Sequence, residues 1–131
     1  MEDSMLLEIL KEMQKKYQCI SEIERITREV GEFLSRNDQT SVQLLLGMRQ
    51  DEMDKSDAID KNIRCLISVL STEEAVQVES WIRGQEDWRP DGQLSEKIIE
   101  KGKNIQQILK RTIDIDKHIS TRIAGTHSFY K

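Results

Sequence analysis

The chain has 131 residues, a formal net charge of -4, 34% charged residues, 5% aromatic residues and one proline. That length suits a single domain with its own core, the charge lacks the basic excess of a nucleic-acid footprint, and no apolar run approaches the ~20 residues of a membrane span. Helix formers dominate, strand formers and breakers are few, and the apolar fraction of 37% lies below the ~45–50% of average globular domains, as in long, thin, all-α bundles.

The opening stretch, MEDSMLLEIL, is acidic before its apolar residues and does not read as a signal peptide. Leu6, Ile9, Met13, Ile20, Ile23, Ile26, Val30, Phe33 and Leu34 then recur mostly at steps of three and four. This spacing predicts one amphipathic helix from about residue 3 to about 35, ~50 Å long, with a coiled-coil-like seam. The run SRND breaks it, and Asp38 is a good N-cap for the next helix. Val42, Leu45, Leu46, Met53, Ile59, Ile63, Leu66, Ile67 and Leu70 continue the period over roughly nine turns. Two matched helices with so short a join predict an antiparallel hairpin.

STEE follows, with Ser71 as N-cap and Glu74 three residues on, the signature of a capping box. Ala75, Val78, Trp81 and Ile82 share one face of a short helix, which Gly84 closes. GQEDWRPDG is a loop. Trp81 is expected to plug the bundle end, whereas Trp88, between Asp87 and Arg89, is divided between packing and partner contact. The last helix is predicted from near Asp91–Leu94 and about 30 residues long, with apolar positions at Leu94, Ile98, Ile99, Ile105, Ile108, Leu109, Ile113, Ile115, Ile119 and Ile123, most on one isoleucine-rich stripe that Ile99, Ile108 and Ile115 widen. The prediction is therefore an elongated antiparallel bundle of three long helices plus one short helix over residues 1–124, with a C-terminal tail at 125–131. Such a bundle leaves a lateral groove that a fourth helix fills. Gly47 and Gly102 fall inside helices and mark either close backbone approach or an exposed face.

Charge is unevenly spread. Residues 1–35 carry -3, residues 36–90 carry -4 and residues 91–131 carry +3, so the last helix suits the first, or an acidic partner. Cys19 and Cys65 read as reduced core residues, without disulfide or zinc spacing. Met5, Met48 and Met53 read as core or terminus. Asp114 and His118 lie one turn apart and read as an exposed charge pair. No Glu-x-x-His repeat, phosphate-cradling loop or nucleophile motif occurs, and the acids of DEMDKSDAID have Ser56 where a calcium loop needs glycine. No enzyme activity, cofactor or metal is expected.

The stretch FLSRNDQTSVQLLLGMRQDEMDKSDAIDKNI, with Asp38, Leu44 to Leu46, Arg49 and Gln50, resembles the flagellar export chaperones of the FlgN and FliT type. LSTEEAVQVESWIRG and KNIQQILKRTIDIDKHI, with Asn104, extend the likeness over most of the chain. The resemblance implies a cytoplasmic chaperone of the type III export route. Such a protein holds the C-terminal helical segments of hook–filament junction proteins, or of the filament cap, prevents their premature assembly and delivers them to the export apparatus. The partner-binding residues expected are Ile115, Ile119 and Ile123, with Phe129 and Tyr130 beyond them, the aromatics acting as part of the cargo site or as its occupant until cargo arrives, or else packing on the bundle end or mediating self-association. The competing expectation is a coiled-coil adaptor that self-associates, for instance as a homodimer, through its seams.

Overall fold

The computed structural model describes residues 2–127, with side chains as far as residue 121. Among these residues the chain forms four helices and no strand: α1 (Asp3–Ser35), α2 (Gln39–Ile67), α3 (Thr72–Ile82) and α4 (Gln93–His127). This is the all-α bundle that the periodicity predicts. α1 ends in a Schellman arrangement. Asn37 takes φ 57°, the Asn37 N–H donates to the Leu34 carbonyl at 3.1 Å, and the Asp38 N–H donates to the Phe33 carbonyl at 3.0 Å. The Asp38 carboxylate then accepts from the Ser41 N–H at 3.0 Å, so that one tight turn stops α1 and starts α2. These hydrogen bonds hold the Asp38 carboxyl below its ordinary pKa.

α3 starts with the predicted box, Ser71 and Glu74 each satisfying the other's backbone N–H. It ends in a second Schellman arrangement, with Gly84 at φ 74° and the Gln85 N–H on the Ser80 carbonyl at 3.0 Å. Here Gly84 and Gly102 let two backbones meet. A Cβ on Gly102 would lie 2.3 Å from the Ile82 carbonyl oxygen, and one on Gly84 would lie 2.7 Å from the Lys103 nitrogen. Gly102 is thus a close approach, whereas Gly47 faces open space. Trp81 is 1% exposed, and its Nε1–H donates to the Trp88 carbonyl at 2.8 Å, tying the loop to the bundle end. Ser95, also fully buried, accepts from the Asp91 and Gly92 N–H groups where α4 begins.

α1 is the spine. It packs along both α2 and α4, which scarcely touch each other, while α3 lies on α4. The core falls into two blocks. The larger, at the α3 end, holds Ile9, Met13, Ile20, Ile63, Val78, Trp81 and Ile98 among others. The smaller, at the far end, joins Ile26, Val30, Val42, Leu45 and Ile119. Polar ties cross the bundle. Lys16 meets Asp60 at 2.7 Å and Asn62 donates to Glu12 at 2.8 Å between α1 and α2. Arg111 meets Glu24 at 2.9 Å, and Lys101 lies 4.3 Å above the Tyr17 ring, between α4 and α1. The basic last helix therefore does lie along the acidic first one.

Several expectations change. α2 stops at Ile67, short of Leu70, which still packs on the core. α4 runs through Gly125 to His127, so the glycine at the start of the expected tail does not end the helix. Cys65 is exposed and only Cys19 is a core residue. Met48 and Met53 are exposed, not buried. Asp114 and His118 are both exposed but form no ion pair with each other.

Candidate binding groove

Because α2 and α4 diverge over α1, a cleft stays open between them. Its middle is a cavity of about 410 Å³, within the ~300–1,000 Å³ range of binding pockets. Ile20, Ile23 and Thr27 of α1 form the floor. Arg49, Met53, Ser56 and Asp57 of α2 form one wall, and Leu109, Thr112, Ile113, Asp116 and Lys117 of α4 the other. A second recess, about 250 Å³, lies toward α3 beside Met13, Ile63 and Ile105. Residues of α2 and α4 line both, and Glu79 and Ile82 of α3 border the second.

The cavity sits where the two core blocks meet, and polar groups occupy that junction. The Thr27 side chain is fully buried, and its hydroxyl donates to the Ile23 carbonyl at 2.7 Å. Arg49 Nη1 donates to Thr27 Oγ1 at 3.2 Å and to Asp116 Oδ1 at 2.9 Å. Among the described residues the Arg49–Asp116 pair is the one ion pair that joins α2 to α4. Thr112 donates to the Ile108 carbonyl at 2.7 Å. Around these groups the lining is aliphatic, and Met53 and Ile113 keep 37% and 51% of their surface in water. Large side chains so exposed, beside a concave apolar floor, mark a contact surface.

Titration is perturbed elsewhere and for structural reasons. Hydrogen bonds from Lys15 and Asn62 hold the Glu12 carboxyl below the usual glutamate range, and the Arg111 guanidinium does the same for Glu24. Burial, with Glu52 close by, pushes the Cys19 thiol up. Among the described residues no three His, Cys, Asp or Glu side chains converge to hold a metal ion. No helix among them is long and apolar enough to cross a membrane.

The residues expected from sequence to bind a partner lie elsewhere. Ile119 is 6% exposed within the smaller core block and Ile115 packs against it. Both line a shallow recess between α1 and α4 with Arg28, Gly31 and His118. The structure thus brings these two together, but as core with an exposed edge. The Ile123 side chain, Phe129 and Tyr130 lie outside the described residues. Met53, Ile113, Asp57 and Lys117 were not singled out as site residues. Ile113 carries no distinguishing signal in the sequence, since it belongs to the same apolar stripe of α4 as its core neighbours, and it is Ile99, Ile108 and Ile115 that widen that stripe.

The fold and groove define a class: an all-α bundle of three long helices with one side open. The chain matches no family model, no curated protein and no solved structure.

Proposed function

We propose that this chain is a binding protein, not an enzyme, and specifically a cytoplasmic export chaperone of the flagellar type. In this reading it holds an amphipathic C-terminal segment of a hook–filament junction protein, keeps it from assembling early and delivers it to the export apparatus. The observation that carries the reading is the open groove between α2 and α4, with its aliphatic floor and half-exposed Met53 and Ile113. A groove flanked by two helices suits a helical segment that folds as it binds. Ordering such a segment costs part of the interaction energy, which keeps affinity moderate and release possible.

The test is calorimetric titration with C-terminal peptides of the junction proteins and, separately, of the filament cap protein. We expect binding at or below about 1 μM, roughly 8 kcal/mol, to one class. Met53→Asp with Ile113→Asp should weaken it at least about tenfold by placing charge on the apolar surface, with helical content unchanged because both side chains are already exposed. A chain truncated after Ile123 reports on the tail: weaker binding makes Phe129 and Tyr130 part of the site, and stronger binding makes them competitors. Failure of both peptide classes to bind sinks the chaperone reading. A concentration-dependent mass that the double substitution abolishes would replace it with the self-associating adaptor.

A further inference from the structure

This inference rests on reading the α2–α4 groove as a helix-binding site. Around the larger cavity the two walls of that groove differ in sign. Asp57 stands on the α2 wall and Lys117 on the α4 wall, both exposed. Neither side chain takes part in an ion pair or a side-chain hydrogen bond among the described residues. The other two charged groups on the rim, Arg49 and Asp116, neutralise each other at 2.9 Å. One negative charge is therefore unspent on the α2 side and one positive charge on the α4 side. Ser56 adds a separate signal. It is only 7% exposed and lines the cavity, and among the described residues its hydroxyl makes no hydrogen bond. No fully buried side-chain polar atom there lacks a partner, so this hydroxyl still reaches water, which a ligand group would displace.

A helix lying on the floor with its apolar stripe downward presents one flank to each wall. We propose that the groove takes one amphipathic helix of a partner protein, with Lys or Arg on the flank facing α2 and Asp or Glu on the flank facing α4. The Asp57 and Lys117 charges then set the direction in which that helix lies. Turning the helix end for end exchanges its flanks, so only one direction satisfies both walls. Charge acts here as it does at interfaces generally, selecting register and orientation more than adding affinity.

The probes are designed peptides about five turns long, each with a leucine stripe. One carries Lys on one flank and Glu on the other, a second has these flanks exchanged, and a third has Gln on both. A nitroxide is placed on Cys65, which is exposed while Cys19 is buried. Cys65 lies two turns beyond Asp57 on α2, about 12 Å along its axis. Each peptide carries a fluorine label at one terminus or the other, and broadening of its signal shows which end lies near Cys65.

Both charged peptides should bind about two- to fivefold tighter per matched flank than the Gln peptide, and they should bring opposite termini to the nitroxide. Asp57→Asn should erase the advantage of the Lys flank alone, and Lys117→Gln that of the Glu flank alone. Equal affinity for all three peptides, no binding by any, or broadening of the same terminus in both charged peptides would overturn the proposal. So would a dimer that occupies the groove in the absence of peptide. If the designed peptides bind with direction and the flagellar peptides do not bind at all, the chaperone reading fails and the groove chemistry stands. If flagellar peptides bind and flank charge has no effect, the reverse holds.

Discussion

The two ends of the bundle solve the same packing problem differently. At the α3 end, α1, α2 and α4 are closed off by a fourth element. Trp81 fills the junction, its indole N–H is satisfied by the loop, and two glycines allow backbone to rest on backbone. At the far end, among the described residues, α1, α2 and α4 meet, the block is smaller, and Ile119 and Val42 pack around Ile26 and Val30. The groove opens between these regimes, where Thr27, Thr112 and the Arg49–Asp116 pair replace aliphatic packing. The cleft between α2 and α4 thus lies between the two core blocks, at their polar junction.

The largest test of that asymmetry is a pair of truncations. Trp81→Ala removes a fully buried aromatic and orphans the Trp88 carbonyl, and should cost about 3–5 kcal/mol in denaturant unfolding. Ile119→Ala in the smaller block should cost nearer ~2 kcal/mol, the low end of the range for such truncations, because Ile119 keeps 6% exposure and has fewer buried neighbours to hold a cavity open. Equal costs would mean that the two ends are equally well packed and would break the comparison.

Glycines give a second contrast with opposite signs. Gly102→Ala drives a methyl into the Ile82 carbonyl, which is backbone and cannot swing aside, so α3 must shift, at about 1–3 kcal/mol. Gly47→Ala meets nothing and should stabilise α2 by up to about 1 kcal/mol through helix propensity. Thermal melts of the two variants should move in opposite directions. A rise in both would show that the α3–α4 contact is looser than the geometry states.

Much of this was legible before any coordinates. Capping is local chemistry, so Asp38, Ser71, Glu74 and Gly84 announced their turns directly. Period alone placed α1 to within its observed ends. The existence of a lateral groove followed from having three long helices, but its walls did not. Which face of α4 looks toward α2 depends on the rotation of each helix about its axis, and both the Ile115–Ile119 face and the Ile113 face are apolar. Ile119 lies in the smaller core block and Ile115 packs against it, whereas Met53 and Ile113, which belong to the same helical periods, stay partly in water; spacing alone does not tell a core position from a surface one. Gly47 and Gly102 were indistinguishable for the same reason: a glycine shows no period, and only the α3 end supplies the backbone that makes one of them necessary.

The smallest effect expected sharpens the electrostatic half of the comparison. Arg111 on α4 holds Glu24 on α1, the tie nearest the groove on its far side, and lowers the carboxyl from its ordinary 4.5. A carboxyl with a lowered native value contributes stability that is fully present above its unfolded value and is lost as pH falls through the native one. Glu12, lowered by Lys15 and Asn62, contributes in the same direction. Arg111→Gln removes the largest part of the lowering from Glu24, leaving the weaker pull of Arg28 at 3.6 Å, and leaves Glu12 unchanged. Its denaturation midpoint should therefore lie below that of the unaltered chain at pH 7, and the gap should narrow as pH is lowered through the glutamate range. Exposed pairs of this kind are weak and screened, so the series is best run at low salt. A gap that stays constant with pH would mean that Arg111 acts through the packing of its stem on α1 and not through its charge.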